Sequence, residues 1–129
     1  MKATPLVWTG RVLTVLFALF MLGASIAPKL IGMPVAGETL VGLGWSAEWV
    51  LPIGLMELGF LILYLYPRTS VLGAVMMTGL LGGAMATQVR IDNPLFSHQL
   101  FSLYLGLILW GGLWLRDPAL RALFPFRRG

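Results

Sequence analysis

The stretch Trp49–Tyr66, WVLPIGLMELGFLILYLY, decides the fold. It is a continuous apolar run with one charged residue, Glu57, near its middle. The run does not alternate between apolar and polar residues as a half-buried strand does, so it is a helix. Its length is close to the ~20 residues that cross about 30 Å of hydrocarbon. Lipid offers no partner to backbone amides, and a helix satisfies its own.

Three more runs of the same kind accompany it, at about Trp8–Ala27, Ser70–Thr87 and Leu95–Leu115. The expected fold is all-α: an integral membrane four-helix bundle, organised as a single domain over residues 1–129. Composition agrees. Of 129 residues, 58% are hydrophobic and 11% charged. A soluble domain carries roughly 45–50% apolar and about 25% charged residues. So few polar groups cannot cover the wet surface of a small soluble protein.

The chain has no cysteine, which excludes disulfides, thiolate metal sites and dithiol chemistry. It has one histidine, so one chain cannot supply bis-histidine haem ligation, and no metal site is expected. There is no Gly-rich phosphate loop, nucleophile elbow or His-Glu-x-x-His motif. The net charge is +4, but the arginines lie at the ends of apolar runs and in a short tail. They read as orientation signals facing anionic headgroups, which makes the bilayer the partner and not a nucleic acid.

Local punctuation agrees with the spans. Pro28 is expected to close the first helix, and Pro67 the second. Ser46 is a candidate N-cap for the second, Thr69 or Ser70 for the third. Asn93-Pro94 reads as N-cap and first helical residue of the fourth, which Asp117-Pro118 ends. Trp8, Trp45, Trp49, Tyr66 and Trp114 sit near the ends, as interfacial anchors do. The first run resembles a signal peptide, with Lys2 before it and Ala24-Ser25-Ile26-Ala27 near its end. Proline directly after that point, and Arg11 close to the apolar core, favour a retained helix.

Charge sets the orientation. With four spans, the two termini and the loop after the second span share one side. That side carries Lys2, Arg11, Arg68, Arg116, Arg121, Arg127 and Arg128, and the other only Lys29 and Arg90. The positive-inside rule then places both termini in the cytoplasm. The loop between the first two spans lies outside. Within it Pro34 starts a short amphipathic segment through Leu43, with Gly44 as its stop. That segment either lies on the membrane surface or folds over the bundle as a lid.

Small residues mark where helices approach, because apolar surface alone drives no association in lipid. Gly79 and Gly83 are spaced four apart, as are Gly82 and Ala86, which makes the third helix the expected centre of the bundle. Gly106, Gly111 and Gly112 offer a matching face on the fourth. The rival reading is that some of these glycines make room for a ligand.

Glu57 demands an explanation. It lies about eight residues past Trp49, roughly 12 Å into the membrane at about 1.5 Å per residue. A charged acid at that depth costs ~2.5 kcal/mol or more on insertion scales, so it must face the bundle and find a partner. Lys29 and Arg90 follow the outer ends of the first and third helices and can lean back toward it. Gln88 ends the third helix, and His98 and Gln99 lie in the first turns of the fourth. Lys29, Glu57, Gln88, Arg90, His98 and Gln99 thus form one candidate polar cluster just inside the outer surface. It is either a pocket opening outward or a structural ion pair of Glu57 with Lys29 or Arg90. His98 taken alone reads as an interfacial or hydrogen-bonded histidine.

Several blocks then resemble the DoxX-like family of small prokaryotic membrane proteins. They are Gly10 through Lys29; Leu43-Gly44-Trp45; Gly54-Leu-Met-Glu57-Leu; Tyr66-Pro67-Arg68-Thr69-Ser70; Leu81-Gly82-Gly83-Ala84-Met-Ala86-Thr87-Gln88; and Leu113-Trp-Leu115-Arg116-Asp117-Pro118. The resemblance implies a four-helix inner-membrane protein linked to membrane redox or oxidative-stress complexes. The family's namesake is a membrane subunit of a thiosulfate:quinone oxidoreductase. The lysine, acid and arginine of the family pattern fall on Lys29, Glu57 and Arg90. Where the pattern often has histidine this chain has Gln88, so catalysis does not carry over.

Three functions remain open from the sequence. The first is a binding component that holds a quinone-like or other lipophilic small molecule beside a partner membrane subunit or a second copy of the chain. The second is a membrane enzyme in which Glu57 serves as acid or base. The third is a proton-coupled small-molecule transporter.

Overall fold

A computed structural model gives the arrangement of residues 4–124. Lys2, Arg127 and Arg128 of the orientation argument lie outside the described residues. No strand occurs among the described residues, and four helices are long and apolar enough to cross a membrane: Pro5–Leu30, Ala47–Leu65, Pro67–Arg90 and Leu95–Arg116. The first span packs mainly on the fourth, the second on the third, and the third on the fourth. The end of the first span, Ala27–Leu30, closes the ring against the second.

Pro28 does not close the first helix. The α-helix Pro5–Phe20 widens into a π-helical segment, Met21–Ile26, and resumes as Ala27–Leu30 with Pro28 in its first turn. A proline ring clashes with the i−4 carbonyl and brings no amide to it. The wider turn relieves both problems, and the helix runs on to Leu30 carrying Lys29. Pro67 does stop the second helix at Leu65, with Tyr66 extended before it.

The caps differ from expectation. Thr69 stands at the N-cap of the third helix but makes no side-chain cap bond there; its hydroxyl and that of Ser70 serve the end of the second. Thr69 Oγ1 donates to the Leu63 carbonyl at 2.8 Å, and Ser70 Oγ to those of Tyr64 and Tyr66 at 2.7 and 2.9 Å. Orphan carbonyls at a helix end need such donors. Ser46 occupies an N-cap position without a side-chain cap bond. Pro94, not Asn93, stands at the N-cap of the fourth span, which opens with a π-helical segment, Leu95–Gln99. The turn before it is tight, with Asp92 at φ 56°, and this directs the Asn93 side chain back to Gln88 instead of forward. Asp117 ends the fourth span and caps a last helix, Pro118–Leu123, accepting from the Ala119 and Leu120 amides.

The bundle core holds Phe17, Leu61, Tyr64, Met77, Leu109 and Leu113, all buried. Large side chains such as Leu19, Ile62, Val75 and Leu107 cover the outside. That much exposed apolar surface suits lipid and not water.

Close approach comes at glycines other than those of the third-helix pairs. A Cβ at Gly10 would stand 2.6 Å from the Gly112 carbonyl oxygen, and one at Gly112 2.9 Å from Thr14 Oγ1. The first and fourth spans therefore cross at Gly10 and Gly112. Gly73 lies against the Tyr64 backbone, and Gly54 against the Lys29 side chain. Gly79, Gly82, Gly83, Gly106 and Gly111 meet nothing within 4 Å of an added Cβ. The third helix is not the centre of the bundle. Of its glycines Gly73 is in contact, while Gly79, Gly82 and Gly83 border open space.

Candidate functional site

Beside Gly79 and Gly83 the open space is a cavity of about 690 Å³ between the spans at the end where Lys29 lies. Its floor and sides are apolar, from Phe20, Met21, Leu80, Leu81, Phe101 and Leu105. Gly79, Gly83 and Ala84 form its wall on the third span. Small residues there leave volume that larger side chains would fill. The helix Pro34–Gly42 folds over the cavity and lines it with Val35, Ala36, Thr39 and Leu40. Of the two positions open to that segment, it takes the lid. Two glycines frame it in a conformation other residues avoid, Gly32 at φ 75° and Gly44 at φ 91°. Beyond the second, Trp45 Nε1 donates to Thr87 Oγ1 at 3.4 Å, tying the lid to the third span.

One ion pair stands in the cavity wall. Lys29 Nζ lies 3.1 Å from Glu57 Oε1. It also donates to Ser25 Oγ at 2.7 Å and to the Ser25 carbonyl at 3.2 Å. Ser25 Oγ in turn donates to Glu57 Oε2 at 2.8 Å. Both carboxylate oxygens are thus engaged and the three groups close a ring. Sequence explains the geometry. Ser25 and Lys29 are one helical turn apart on the same face. Gly54 lies nearly a turn before Glu57, and a Cβ there would stand 2.8 Å from Lys29 Cβ. Its missing side chain lets the lysine stem lie against the second span and reach the acid. Glu57 is buried, while the Lys29 side chain keeps 18% of its surface open.

The other sequence-derived candidates divide. Gln88 and His98 line the same cavity. Gln88 Oε1 accepts from Asn93 Nδ2, and His98 Nδ1 shares a hydrogen bond with Ser97 Oγ at 2.8 Å. Gln99 instead donates to the Asn93 carbonyl at 2.7 Å and braces the turn. Arg90 is exposed, lies beside Gly44, and makes no ion pair with Glu57. Lys29–Glu57 is the salt bridge found among the described residues. They contain no cluster of metal-ligating side chains.

Ser25 was missed in the sequence because a lone serine in an apolar helix usually bonds its own backbone. Its i, i+4 spacing to Lys29 was the available signal. A second polar cluster was missed as well, at the opposite end of the bundle. Arg116 Nε donates to Thr14 Oγ1 at 3.1 Å and its Nη2 to the Tyr64 carbonyl at 3.2 Å, with Ser70 Oγ 3.5 Å away. Its guanidinium lies 5.2 Å from the Tyr64 ring centre. The Tyr64 hydroxyl donates to the Leu109 carbonyl. Each span gives one member: Thr14, Tyr64, Ser70 and Arg116. Arginine's planar fork reaches several acceptors at once, which suits this role. One end of the bundle is thereby tied shut, and the other holds the cavity.

Neither the curated proteins nor the solved structures that were compared include a match to the chain. The model of one family does match, over residues 12–112, which reaches into all four spans, and on that match the chain belongs to the DoxX-like family.

Proposed function

We propose that this multi-pass membrane protein holds a lipophilic small molecule, quinone-like in size, with its polar head at the Lys29–Glu57 pair. One observation carries the reading: a lysine and a glutamate paired at 3.1 Å stand in the wall of a 690 Å³ apolar cavity. Cavities of about 300–1,000 Å³ with apolar walls and few polar groups are the usual form of a small-molecule site. Ionisable groups inside a membrane mark such sites more often than they mark plain structure. On the positive-inside rule the arginine-rich, tied end faces the cytoplasm and the lid faces outward. From the resemblance described above we include in the proposal a place in a prokaryotic inner membrane, beside a partner subunit or a second copy of the chain in a redox or stress-related complex.

A structural reading has its own support. Both Glu57 oxygens are already bonded within the protein, so the pair can serve as a clasp between the first two spans. Native mass spectrometry of the protein extracted from its own membrane separates the two. A co-purifying small molecule that disappears from a Gly83→Leu variant supports the binding reading. A chain that carries no small molecule under any extraction condition leaves the clasp.

A further inference from the structure

We infer that the cavity selects a lipophile whose polar head carries no net charge, a ketone, quinone or alcohol, over fatty-acid anions and over cationic amphiphiles. The inference rests on the binding role proposed above and narrows it. The head end of the cavity contains one ammonium and one carboxylate at 3.1 Å, and their charges cancel. The other polar groups on its wall are those of Ser25, Thr39, Thr87, Gln88 and Ser102, the indole N–H groups of Trp45 and Trp49, all uncharged, and the His98 imidazole. Arg90 is not among the lining residues and lies beside Gly44.

Consider what each kind of head would meet. A carboxylate entering here is drawn by Lys29 and repelled by Glu57, whose carboxylate lies 3.1 Å from the lysine nitrogen. It gains little from the pair and still loses its hydration, which is the dominant cost of moving an ion into low dielectric. An ammonium head meets the mirror image of that situation. A carbonyl or hydroxyl gives up far less hydration and can replace it with one hydrogen bond. Gln88 has its Oε1 engaged by Asn93, and its amide nitrogen remains as a donor on the cavity wall. The ion pair thus works as a charge filter that stays neutral only while both partners are present.

That last point makes the proposal testable by reversal. The full chain is placed in nanodiscs of zwitterionic lipid. It is offered dodecan-2-one, dodecanoate and dodecylammonium at equal mole fraction in the membrane, and bound fractions are read by native mass spectrometry. One pH is used throughout, so His98 contributes equally in every variant. The wild-type chain is expected to hold the ketone over either ion by more than about tenfold. Glu57→Gln is expected to turn the preference toward dodecanoate, and Lys29→Met toward dodecylammonium. The double variant, Lys29→Met with Glu57→Gln, is expected to return to the ketone. A clasp between helices would move stability in these variants but not reverse a ligand ranking. If the wild-type chain holds dodecanoate as well as it holds the ketone, the charge filter is wrong while the binding role stands. If no compound is held by any variant, the binding role itself fails. The wild-type ranking alone decides the matter if the single variants do not fold.

Discussion

Gly54 and Lys29 are in direct contact across the seam of the first two spans, so close that a methyl group on Gly54 would stand 2.8 Å from Lys29 Cβ. This contact, and not the ion pair alone, fixes where the lysine meets Glu57. Gly54→Ala is therefore expected to move Lys29 away from the acid. It should destabilise the chain although alanine is the better helix former by about 1 kcal/mol. Thermal unfolding in detergent, read beside the same change at Gly59, checks this. Gly59 has open space at its Cβ position and should tolerate alanine.

Glu57→Gln leaves the Lys29 ammonium without its counter-charge. Breaking a fully buried pair costs about 3–5 kcal/mol. The Lys29 side chain keeps 18% exposure and can lean toward the surface, so a smaller loss, about 1–3 kcal/mol, is expected. Lys29→Met should cost a similar amount, and the double variant less than the sum. A double-mutant cycle on the unfolding free energies measures the coupling, and strictly additive losses would show that the pair contributes none.

The glycines of the third span provide a direct contrast. Gly73→Ala would drive a methyl into the Tyr64 backbone and is expected to be severe, beyond about 2 kcal/mol. Gly79→Ala and Gly82→Ala meet open space and are expected to be neutral, or stabilising by up to about 1 kcal/mol from helix propensity. Equal losses at Gly73 and Gly79 would contradict the observed crossing.

Arg116→Lys keeps the charge but loses the planar fork that reaches Thr14, Tyr64 and Ser70 together. A loss of about 1–2 kcal/mol is expected, with Arg116→Gln losing more. Neither change should alter ligand retention at the cavity end. Amide hydrogen exchange should rise near Tyr64 and Ser70 and stay flat around Ser25 and Glu57.

These contrasts also mark what was legible in the chain. The four spans, the lid segment and its Gly44 stop follow from apolar run length and from proline and glycine placement, both local properties. The depth of Glu57 required a partner, and Lys29 was one of the two in reach. What failed was mostly what depends on which helix faces meet. Spacing alone cannot separate glycines that touch another helix, such as Gly10 and Gly112, from glycines that border a void, such as Gly79 and Gly83. Pro28 was expected to break the first helix because a π-helical turn gives no sequence signal. Arg116 read as a topology marker because its partners Thr14, Tyr64 and Ser70 are neutral and far apart in the chain.

The lid rests on the cavity through Leu40, its one buried side chain. Leu40→Ser is expected to loosen the segment Pro34–Gly42 and raise exchange of its amides, with the four spans unchanged. Unaltered exchange there would mean that the lid is held by its flanking turns and not by the cavity.

The central claim is that the space beside Lys29 and Glu57 receives a lipophilic molecule. Gly83→Leu fills that space from a wall position whose Cβ touches nothing, and it leaves the ion pair in place. The most direct test is quenching of tryptophan fluorescence by decylubiquinone in nanodiscs, since Trp45 and Trp49 line the cavity. Saturable quenching in the wild-type chain, weakened by more than about tenfold in a Gly83→Leu variant of unchanged thermal stability, is the predicted result. Identical quenching curves for the two proteins would contradict it.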